Sequence, residues 1–293
     1  MLQRIRAFFM ARGVLEVETP LLSRAGNTDP SITSLEVRDG GWLHTSPEFP
    51  MKRLLAAGSG DIYQICKVFR GGESGRFHNP EFTLLEWYRL GFDDCRLADE
   101  VVALISEVAA RRFDVVSVSY RSLFLDALGI DPLRTGVDEL QALARSRGIA
   151  PDGDMPRDDW LDLLLSHIVT PSFPTDRLTV VTDYPASQAA LARLNADGET
   201  AARFEIYWGA VELANGYFEL TDPVEQRRRV AAEQSVRRQR GLPPIRADER
   251  FLQAIDHGLP DCAGVALGLD RLLMKVMGAE HIGEVIAFDA GRA

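Results

Sequence analysis

Residues 61–90 hold two strand-prone segments on either side of a polar loop. The segments DIYQICKVF (61–69) and EFTLLEWYRL (81–90) are rich in the aromatic and β-branched side chains that favour strands. The loop RGGESGRFHNP (70–80) between them is rich in glycine and charge. Two strands separated in this way predict an antiparallel hairpin whose loop is available for function.

The remaining segments predict an α+β fold. Helices are indicated at residues 2–12, MKRLLAAG (51–58), 97–112 and 222–240. Strands are indicated at VLEVETPLL (14–22), GWLHTS (41–46), LTVVTDYP (178–185) and FEIYWGAVELANGYFELT (204–221), where Asn215-Gly216 signals a turn or bulge, and GVALGLDRLLMKVMG (264–278) passes from strand to helix. Because the strands come in antiparallel-looking runs without regular β-α-β alternation, we expect an α+β class and not a doubly wound sheet.

We expect one domain over residues 1–293. Residues 115–175 then form a mainly helical excursion from its core, with PDGDMP (151–156) as a turn. No linker rich in proline, glycine and serine divides the chain.

Charge and cysteine content narrow the function. The chain carries 33 Lys and Arg against 43 Asp and Glu, a net charge of −10, which argues against a global electrostatic grip on DNA or RNA. No apolar run reaches the roughly 18 residues of a membrane span, and the N-terminus lacks the apolar core of a signal peptide. Cys66, Cys95 and Cys262 fit no zinc spacing, so we interpret them as reduced thiols and expect a cytoplasmic protein.

Three glutamates, Glu205, Glu212 and Glu219, recur seven residues apart in a strand-prone segment. Positions seven apart on a regular strand face opposite sides, but turns or bulges at Gly209 and Gly216 could restore a common face. Clustered carboxylates repel one another unless a cation joins them, so a shared face would indicate Mg²⁺ or an ammonium ligand. The alternative interpretation is three exposed strand glutamates.

The hairpin loop offers groups that suit a nucleotide. Arg70 ends the first strand, where a planar guanidinium suits a phosphate, and Phe82 follows a turn at His78-Asn79-Pro80 and could stack on a nucleobase. The alternative is a surface loop with an ordinary core phenylalanine.

A third group of candidates lies in GLDRLLM (268–274). Gly268 permits close backbone approach, and Arg271 in the first helical turn could stack on a base or neutralise a phosphate. The alternative is an exposed arginine on a helix capped by Asp270.

Together, five segments resemble class II aminoacyl-tRNA synthetases, and specifically their lysyl branch. GVLEVETPLL (13–22) resembles motif 1, a dimer-interface element, VFRGGESGRFHNPEFTLLEWY (68–88) resembles motif 2, and GVALGLDRLL (264–273) resembles motif 3. TSPEFPMKRLL (45–55) and VELANGYFELTD (211–222) are similar to lysyl-enzyme segments. The resemblance runs from about residue 4 to the C-terminus and implies an antiparallel sheet flanked by helices and a homodimer formed through motif 1.

The position of motif 1 narrows the resemblance further. It begins within the first two dozen residues, so we expect no anticodon-binding domain. A lysyl-type catalytic domain of this kind resembles the family of elongation factor P–(R)-β-lysine ligases, which activate (R)-β-lysine with ATP and transfer it to a lysine side chain of elongation factor P. At position 266 this chain resembles that family in having alanine, whereas lysyl-tRNA synthetases tend to have glycine there. One methyl group in a pocket wall can change substrate choice. The resemblance implies ATP and Mg²⁺ as cofactors, a diamino acid and elongation factor P as partners, and neither tRNA nor membrane.

The resemblance also implies roles for the matching residues. The catalytic residues would be Arg70 and Arg271. The ATP site would comprise Arg70, Gly71, Gly72, Glu73, Asn79, Phe82, Glu212, Leu213, Gly268 and Arg271. The diamino-acid site would comprise Ser46, Pro47, Glu48, Glu86, Tyr88, Asn215, Glu219 and Ala266, and Glu205 and Glu212 would hold Mg²⁺.

Within these sets the resemblance implies specific contacts. Arg70 would bind the α-phosphate, and Phe82 and Arg271 would enclose the adenine. Ser46, Glu48 and Asn215 would surround the substrate's amino group and backbone, and Glu86, Tyr88 and Glu219 would bind the far ammonium.

One motif departs from the family pattern, and one helix has two interpretations. Motif 2 commonly reads Arg-x-Glu, whereas here Glu73 follows Gly71 and Gly72, so either the acidic role is shifted by one place to Glu73 or that role is weakened. The helix at 222–240 could dock an acidic elongation factor P, or it could be a solvated face. Its arginines are Arg227, Arg228, Arg229, Arg237, Arg238 and Arg240.

Two other functions remain open at this point. One is a lysyl-type enzyme that activates α-lysine for tRNA or another acceptor, and the other is a non-catalytic synthetase-like regulator.

Overall fold

The computed structural model describes residues 1–38, 40–149, 151, 153 and 155–293, and their fold is α+β, as expected. The strands are β1 (Leu15–Glu16), β2 (Leu22–Ser23), β3 (Leu35–Glu36), β4 (Trp42–Leu43), β5 (Ile62–Phe69), β6 (Glu81–Leu90), β7 (Val115–Ser119), β8 (Leu178–Pro185), β9 (Thr200–Trp208), β10 (Val211–Phe218) and β11 (Cys262–Gly268). The α-helices are α1 (Leu2–Met10), α2 (Glu48–Ala56), α3 (Asp94–Ala109), α4 (Tyr120–Leu128), α5 (Val137–Ser146), α6 (Arg157–Leu164), α7 (Pro223–Gln239), α8 (Glu249–Gly258) and α9 (Leu269–Met277). None of the helices in the described part of the chain combines the length and apolarity needed to cross a bilayer.

A large sheet carries the fold, in the order β1-β5-β6-β11-β10-β9-β8-β7. The pairs β1–β5 and β7–β8 are parallel, and the pairs between them are antiparallel. The hairpin predicted at residues 61–90 is confirmed, since Ile62 pairs with Tyr88 and Phe69 with Glu81. A small sheet, β2-β4-β3, lies beside it.

The two faces of the large sheet have different tasks. Strand side chains alternate between faces, and on β6 Leu85 and Trp87 are buried in a core that α1 and α3 complete. Glu86 and Tyr88 point to the other face, which borders a cavity. The apolar face thus packs against the helices, and the polar face borders the cavity.

The region expected to be a helical excursion contains α4, α5 and α6 and a core of its own. Tyr120, Phe124 and Trp160 are fully buried there and pack toward β8. The strand β7 was not expected, and it extends the sheet by pairing in parallel with β8. Of the turn expected at 151–156, residues 152 and 154 lie outside the described residues.

On the strand pair at 204–221 the turn expected at Gly209 is confirmed, and the turn or bulge expected at Asn215-Gly216 is wrong. The chain turns at Gly209, which has a φ of +59°, whereas Asn215 and Gly216 lie inside β10 opposite Glu205 and Phe204. The bulge falls between Glu212 and Ala214 and not at Gly216. Gly216 is needed for close packing, because a Cβ atom there would lie 2.4 Å from the Phe204 ring.

Candidate active site

A cavity of about 390 Å³ opens on the polar face of the sheet. Alternate residues of three neighbouring strands line it, because side chains on one strand face recur every second position. From β6 these are Phe82, Leu84, Glu86 and Tyr88, from β11 Gly264, Ala266 and Gly268, and from β10 Glu212, Asn215 and Tyr217. Glu212 and Asn215 are three positions apart, and the bulge between Glu212 and Ala214 allows both to face the cavity.

The structure gathers most of the predicted site residues around this cavity. Those that line it are Ser46, Glu48, Arg70, Glu73, Asn79, Phe82, Glu86, Tyr88, Glu212, Leu213, Asn215, Glu219, Ala266, Gly268 and Arg271. Pro47, Gly71, Gly72 and Glu205 do not line it. Pro47 precedes α2, and Gly71 packs beside Thr33 and Leu35, to whose side chains a Cβ atom would lie 2.9 Å.

One end of the cavity is acidic. Glu86 is 2% exposed and accepts hydrogen bonds from the Tyr88 hydroxyl at 2.7 Å and from Ser46 Oγ at 2.8 Å. Burial, together with repulsion from Glu48, raises the pKa of Glu86 to about 8. Burial likewise raises the pKa of Glu219 to about 7, although Lys52 partly offsets it. These raised pKa values mean that a ligand cation would stabilise the ionised carboxylates.

The sequence did not single out Lys52, yet this side chain is 1% exposed at the acidic end. Its Nζ lies 2.7 Å from Glu48 Oε1 and 2.6 Å from Glu219 Oε2. Burial alone would lower the pKa of Lys52, but the two carboxylates outweigh burial and raise it. The available signal was the spacing of four from Glu48 to Lys52, beside the apolar Met51 and Leu55. The predicted helix began only at residue 51, whereas α2 begins at Glu48, so this spacing was not recognised as a helical pair.

The cavity walls near the acidic end are polar or closely packed. The Oδ1 atom of Asn215 is buried and has no hydrogen-bond partner among the described residues, so it is available to an ammonium group. Gly264 leaves no room for a side chain, because a Cβ atom there would lie 2.3 Å from Tyr88 Cε1 and 2.4 Å from Glu219 Oε1. Ala266 lies between Glu86 on β6 and Asn215 on β10, so its methyl group belongs to the same wall.

The other end of the cavity carries arginines. Arg271 donates to the main-chain oxygen of Glu212 at 3.1 Å and pairs with its carboxylate at 3.3 Å. Its Nη2 lies 2.6 Å from Nε2 of His78, which the sequence analysis treated only as part of a turn. Burial and then Arg271 lower the pKa of His78, so the neutral ring accepts from the guanidinium. Arg70 lies over the Phe82 ring at 5.2 Å.

Two further residues near the arginine end have roles that the sequence did not indicate. Asn79 donates to the main-chain oxygen of Glu81 at 2.6 Å and accepts from the Ala290 amide at 2.9 Å, so its side chain fastens the hairpin to the C-terminal segment. Asp270 does not cap α9, because it accepts from the Thr83 amide on β6 at 2.7 Å. The interpretation of Asp270 as a helix cap is therefore wrong.

Glu205 and Glu212 are the carboxylates predicted to hold Mg²⁺. Desolvation within the cleft and then repulsion from Glu205 raise the pKa of Glu212, so this pair would favour a nearby cation. Glu205 is 6% exposed and is held by Arg203 at 2.6 Å and by the Tyr207 hydroxyl. Within the described residues no group of three or more acidic, histidine or cysteine side chains could hold a metal. A pair of carboxylates fits Mg²⁺ of the kind completed by substrate phosphates and water.

Most arginines of the helix at 222–240 are engaged within the chain. Arg227 pairs with Asp256 at 2.6 Å, and Arg228 and Arg229 pair with Glu225. Arg237 is 5% exposed and donates to main-chain oxygens, and Arg240 pairs with Asp159. These contacts favour a structural role for the helix over a docking surface.

Comparisons with known proteins identify the family of the chain. The family model "tRNA synthetases class II (D, K and N)" matches residues 1–291. The elongation factor P–(R)-β-lysine ligase of Haemophilus ducreyi is 47% identical over 99% of this chain and 91% of its own length. The proteins of the same name from Vibrio atlanticus and Vibrio cholerae are 45% and 46% identical over all of this chain and 94% of their own lengths. The chain therefore belongs to the class II tRNA synthetases and, within them, to the family of elongation factor P–(R)-β-lysine ligases.

Proposed function

We propose that this protein activates (R)-β-lysine with ATP and transfers the β-lysyl group to a lysine side chain of elongation factor P. The observation that carries the proposal is the polarity of the cavity, with carboxylates at one end and arginines at the other. A diamino acid has two ammonium groups that suit Glu48, Glu86 and Glu219, and ATP has phosphates that suit Arg70 and Arg271. The relatives at 45–47% identity are named elongation factor P–(R)-β-lysine ligases, which supports the proposal.

The first step is attack of the β-lysine carboxylate on the α-phosphorus of ATP. An oxygen–phosphorus bond forms, pyrophosphate leaves, and β-lysyl adenylate results. The step needs alignment and charge stabilisation more than a general base, because the nucleophile is already anionic. Arg70 would face the α-phosphate, and Phe82 and Arg271 would enclose the adenine. Gly268, Leu213 and Glu73 border the same end of the cavity.

The second step is attack of the neutral amine of the acceptor lysine on the carbonyl carbon of the adenylate. An amide bond forms, the bond between the carbonyl carbon and the phosphate oxygen breaks, AMP leaves, and the amine releases its proton to water. At the acidic end, Ser46, Tyr88 and Asn215 would orient the ammonium groups, since Ser46 and Tyr88 already hold Glu86.

Mg²⁺, held by Glu205 and Glu212, would supply charge neutralisation on the phosphates. For Glu205 this requires an oxygen now bonded to Arg203 or Tyr207 to turn toward the ligand.

The proposal extends to assembly and location. Leu15, Leu21 and Leu22 of motif 1 are exposed at 56%, 40% and 52%, and such a patch suits a homodimer interface. We place the protein in the cytoplasm, where its three free cysteines stay reduced. Elongation factor P is the proposed acceptor, and tRNA is not expected to be one.

ATP–pyrophosphate exchange, run separately with (R)-β-lysine and α-lysine, tests the first step. We expect exchange with β-lysine, and transfer of labelled β-lysine to elongation factor P but not to tRNA. Arg70→Ala should abolish exchange, whereas Arg121→Ala, at an exposed ion pair with Asp131, should not. Exchange with α-lysine followed by transfer to tRNA alone would refute the proposal, and no exchange with either amino acid would favour a regulator.

A further inference from the structure

Lys52 is a buried cation that contacts two carboxylates of a site whose proposed ligand is itself a cation. It comes from α2, one turn after Glu48, and bridges to Glu219 just beyond the end of β10. The pair with Glu48 is local to the helix, but the pair with Glu219 joins two separate elements. Lys52 therefore fixes the separation of two carboxylates that border the cavity.

Packing alone does not account for a lysine here. Met51 and Leu55, its neighbours on α2, are fully buried in an apolar cluster with Phe251 and Ile255. An apolar side chain of similar length could continue that cluster, and buried ion pairs are often no more stabilising than the apolar groups that replace them. The charge of Lys52 thus calls for a role beyond folding.

The charges at this end of the cavity supply that role. Glu48, Glu86 and Glu219 carry three negative charges when ionised, and Lys52 carries one positive charge, so these four side chains have a net charge of −2. Arg203 also lines the cavity, but its charge is balanced by its ion pair with Glu205. A diammonium ligand carries a charge of +2 at this end and neutralises the net charge of the four side chains. Without Lys52, the same ligand would leave one buried carboxylate uncompensated, which is costly.

We propose that Lys52 is a positioning and specificity-determining residue, which matches the charge of the pocket to a diammonium substrate and holds Glu48 and Glu219 at the spacing that such a substrate requires. This inference rests on the proposed function, because it takes the ligand of the acidic end to be the diamino acid. Lys52 acts through the two glutamates and takes no part in the chemical steps.

The test uses Lys52→Met, Glu219→Gln and the double variant, with Lys67→Met as a matched control. Lys67 is half exposed, and its Nζ lies 3.8 Å from Glu81 Oε1. Lys67→Met therefore removes a lysine–glutamate pair whose residues do not line the cavity. ATP–pyrophosphate exchange gives the KM for (R)-β-lysine and for ATP, and titration calorimetry gives the affinity for (R)-β-lysine directly. We expect Lys52→Met to weaken diamino-acid binding about 30-fold or more, with the ATP KM within about twofold of wild type and Lys67→Met unchanged.

The double variant separates charge balance from simple damage. It keeps Glu48 and Glu86 without Lys52, so its pocket again has a net charge of −2, and it should bind the diamino acid better than either single variant. A double variant no better than the weaker single variant would overturn the proposal. So would a Lys52→Met protein in which both KM values and kcat change together, because a merely structural role predicts that result.

The same variants still test the proposal if Lys52→Met does not fold or if the wild-type protein shows no exchange with β-lysine. If Lys52→Met does not fold, the comparison of the double variant with Glu219→Gln still decides, since the double variant leaves no unpaired carboxylate at position 219. If wild-type protein shows no exchange with β-lysine, the proposed function fails, and the calorimetric order of the variants still tests Lys52.

Discussion

Gly264→Ala should damage diamino-acid binding far more than ATP binding. Gly264 lies on β11 opposite Tyr88, and the added Cβ would lie 2.3 Å from Tyr88 Cε1 and 2.4 Å from Glu219 Oε1. Carbon atoms in contact prefer about 3.5 Å, so the ring and the carboxylate must each move by roughly 1 Å. That movement takes the Tyr88 hydroxyl out of its 2.7 Å hydrogen bond to Glu86.

The size of the effect follows from that hydrogen bond. Bonds to charged groups contribute about 1.5–3 kcal/mol, and a loss of about 2 kcal/mol corresponds to roughly a 30-fold rise in KM for β-lysine. The ATP KM should change by less than about threefold, because the displaced groups lie at the acidic end. ATP–pyrophosphate exchange with each substrate varied in turn measures both constants.

Gly216→Ala is the matched control, since its Cβ would lie 2.4 Å from the Phe204 ring on the core face of the sheet. Overpacking costs about 1–3 kcal/mol of stability, so both variants should lower Tm. Only Gly264→Ala should separate the two KM values. If Gly216→Ala raised the β-lysine KM to the same extent, or if Gly264→Ala raised both KM values equally, the assignment of the acidic end to the diamino acid would be wrong.

Three further predictions concern the same wall of the cavity. Glu219→Gln should weaken binding of β-lysine about tenfold or more while leaving ATP affinity within about twofold. Calorimetric titration with each ligand measures the two affinities. Equal losses of affinity for β-lysine and for ATP would contradict a role of Glu219 in binding the diamino acid. The pKa of Glu86 is raised from 4.5 to about 8, so the folded state binds more protons than the unfolded state between these values, and stability falls as pH rises through that range. Glu86→Gln should remove part of this fall, on the order of a few kcal/mol. Denaturant unfolding between pH 5 and pH 8 measures the free energy of unfolding of the two proteins. If that free energy changed with pH equally in both, Glu86 would not contribute to the fall. Ala266→Gly should raise the rate of ATP–pyrophosphate exchange with α-lysine relative to that with β-lysine by roughly tenfold. An unchanged ratio of the two rates would show that the Ala266 methyl group does not determine substrate choice.

Local patterns were sufficient for the hairpin and for the parts of the site that it carries. The strands around the loop at 70–80 could be predicted because aromatic and β-branched residues fill both of them. Asp93 could likewise have marked the start of α3, since its side chain accepts from the Arg96 amide, although the expected helix began later, at residue 97. Strand β7, by contrast, is short and half exposed and is fixed by its parallel partner β8, which lies far along the chain.

The acidic end of the cavity could not be predicted from local sequence patterns, because it depends on contacts between residues that are far apart in the chain. Sequence spacing could not place the bulge near Glu212, because Gly216 looked like the more permissive position. Lys52 resembled an ordinary polar residue on a short helix, and only the fold shows that Glu219 lies 2.6 Å from it. His78 gained its contact in the same way, since Arg271 approaches from a helix nearly two hundred residues later.

The length of β6 relates the two ends of the cavity to each other. A strand rises about 3.3 Å per residue, so Phe82 and Glu86 are separated by about 13 Å along it and Phe82 and Tyr88 by about 20 Å. If Phe82 stacks on the adenine, an aminoacyl adenylate that also reaches Glu86 must span at least this distance of about 13 Å. A short amino acid would leave Glu86 and Glu219 without a cation, and the raised pKa values of these two carboxyl groups show that their ionised forms are poorly stabilised without one. On the proposed function, selection for a long diamino acid would therefore follow from the register of one strand together with the charges placed on it.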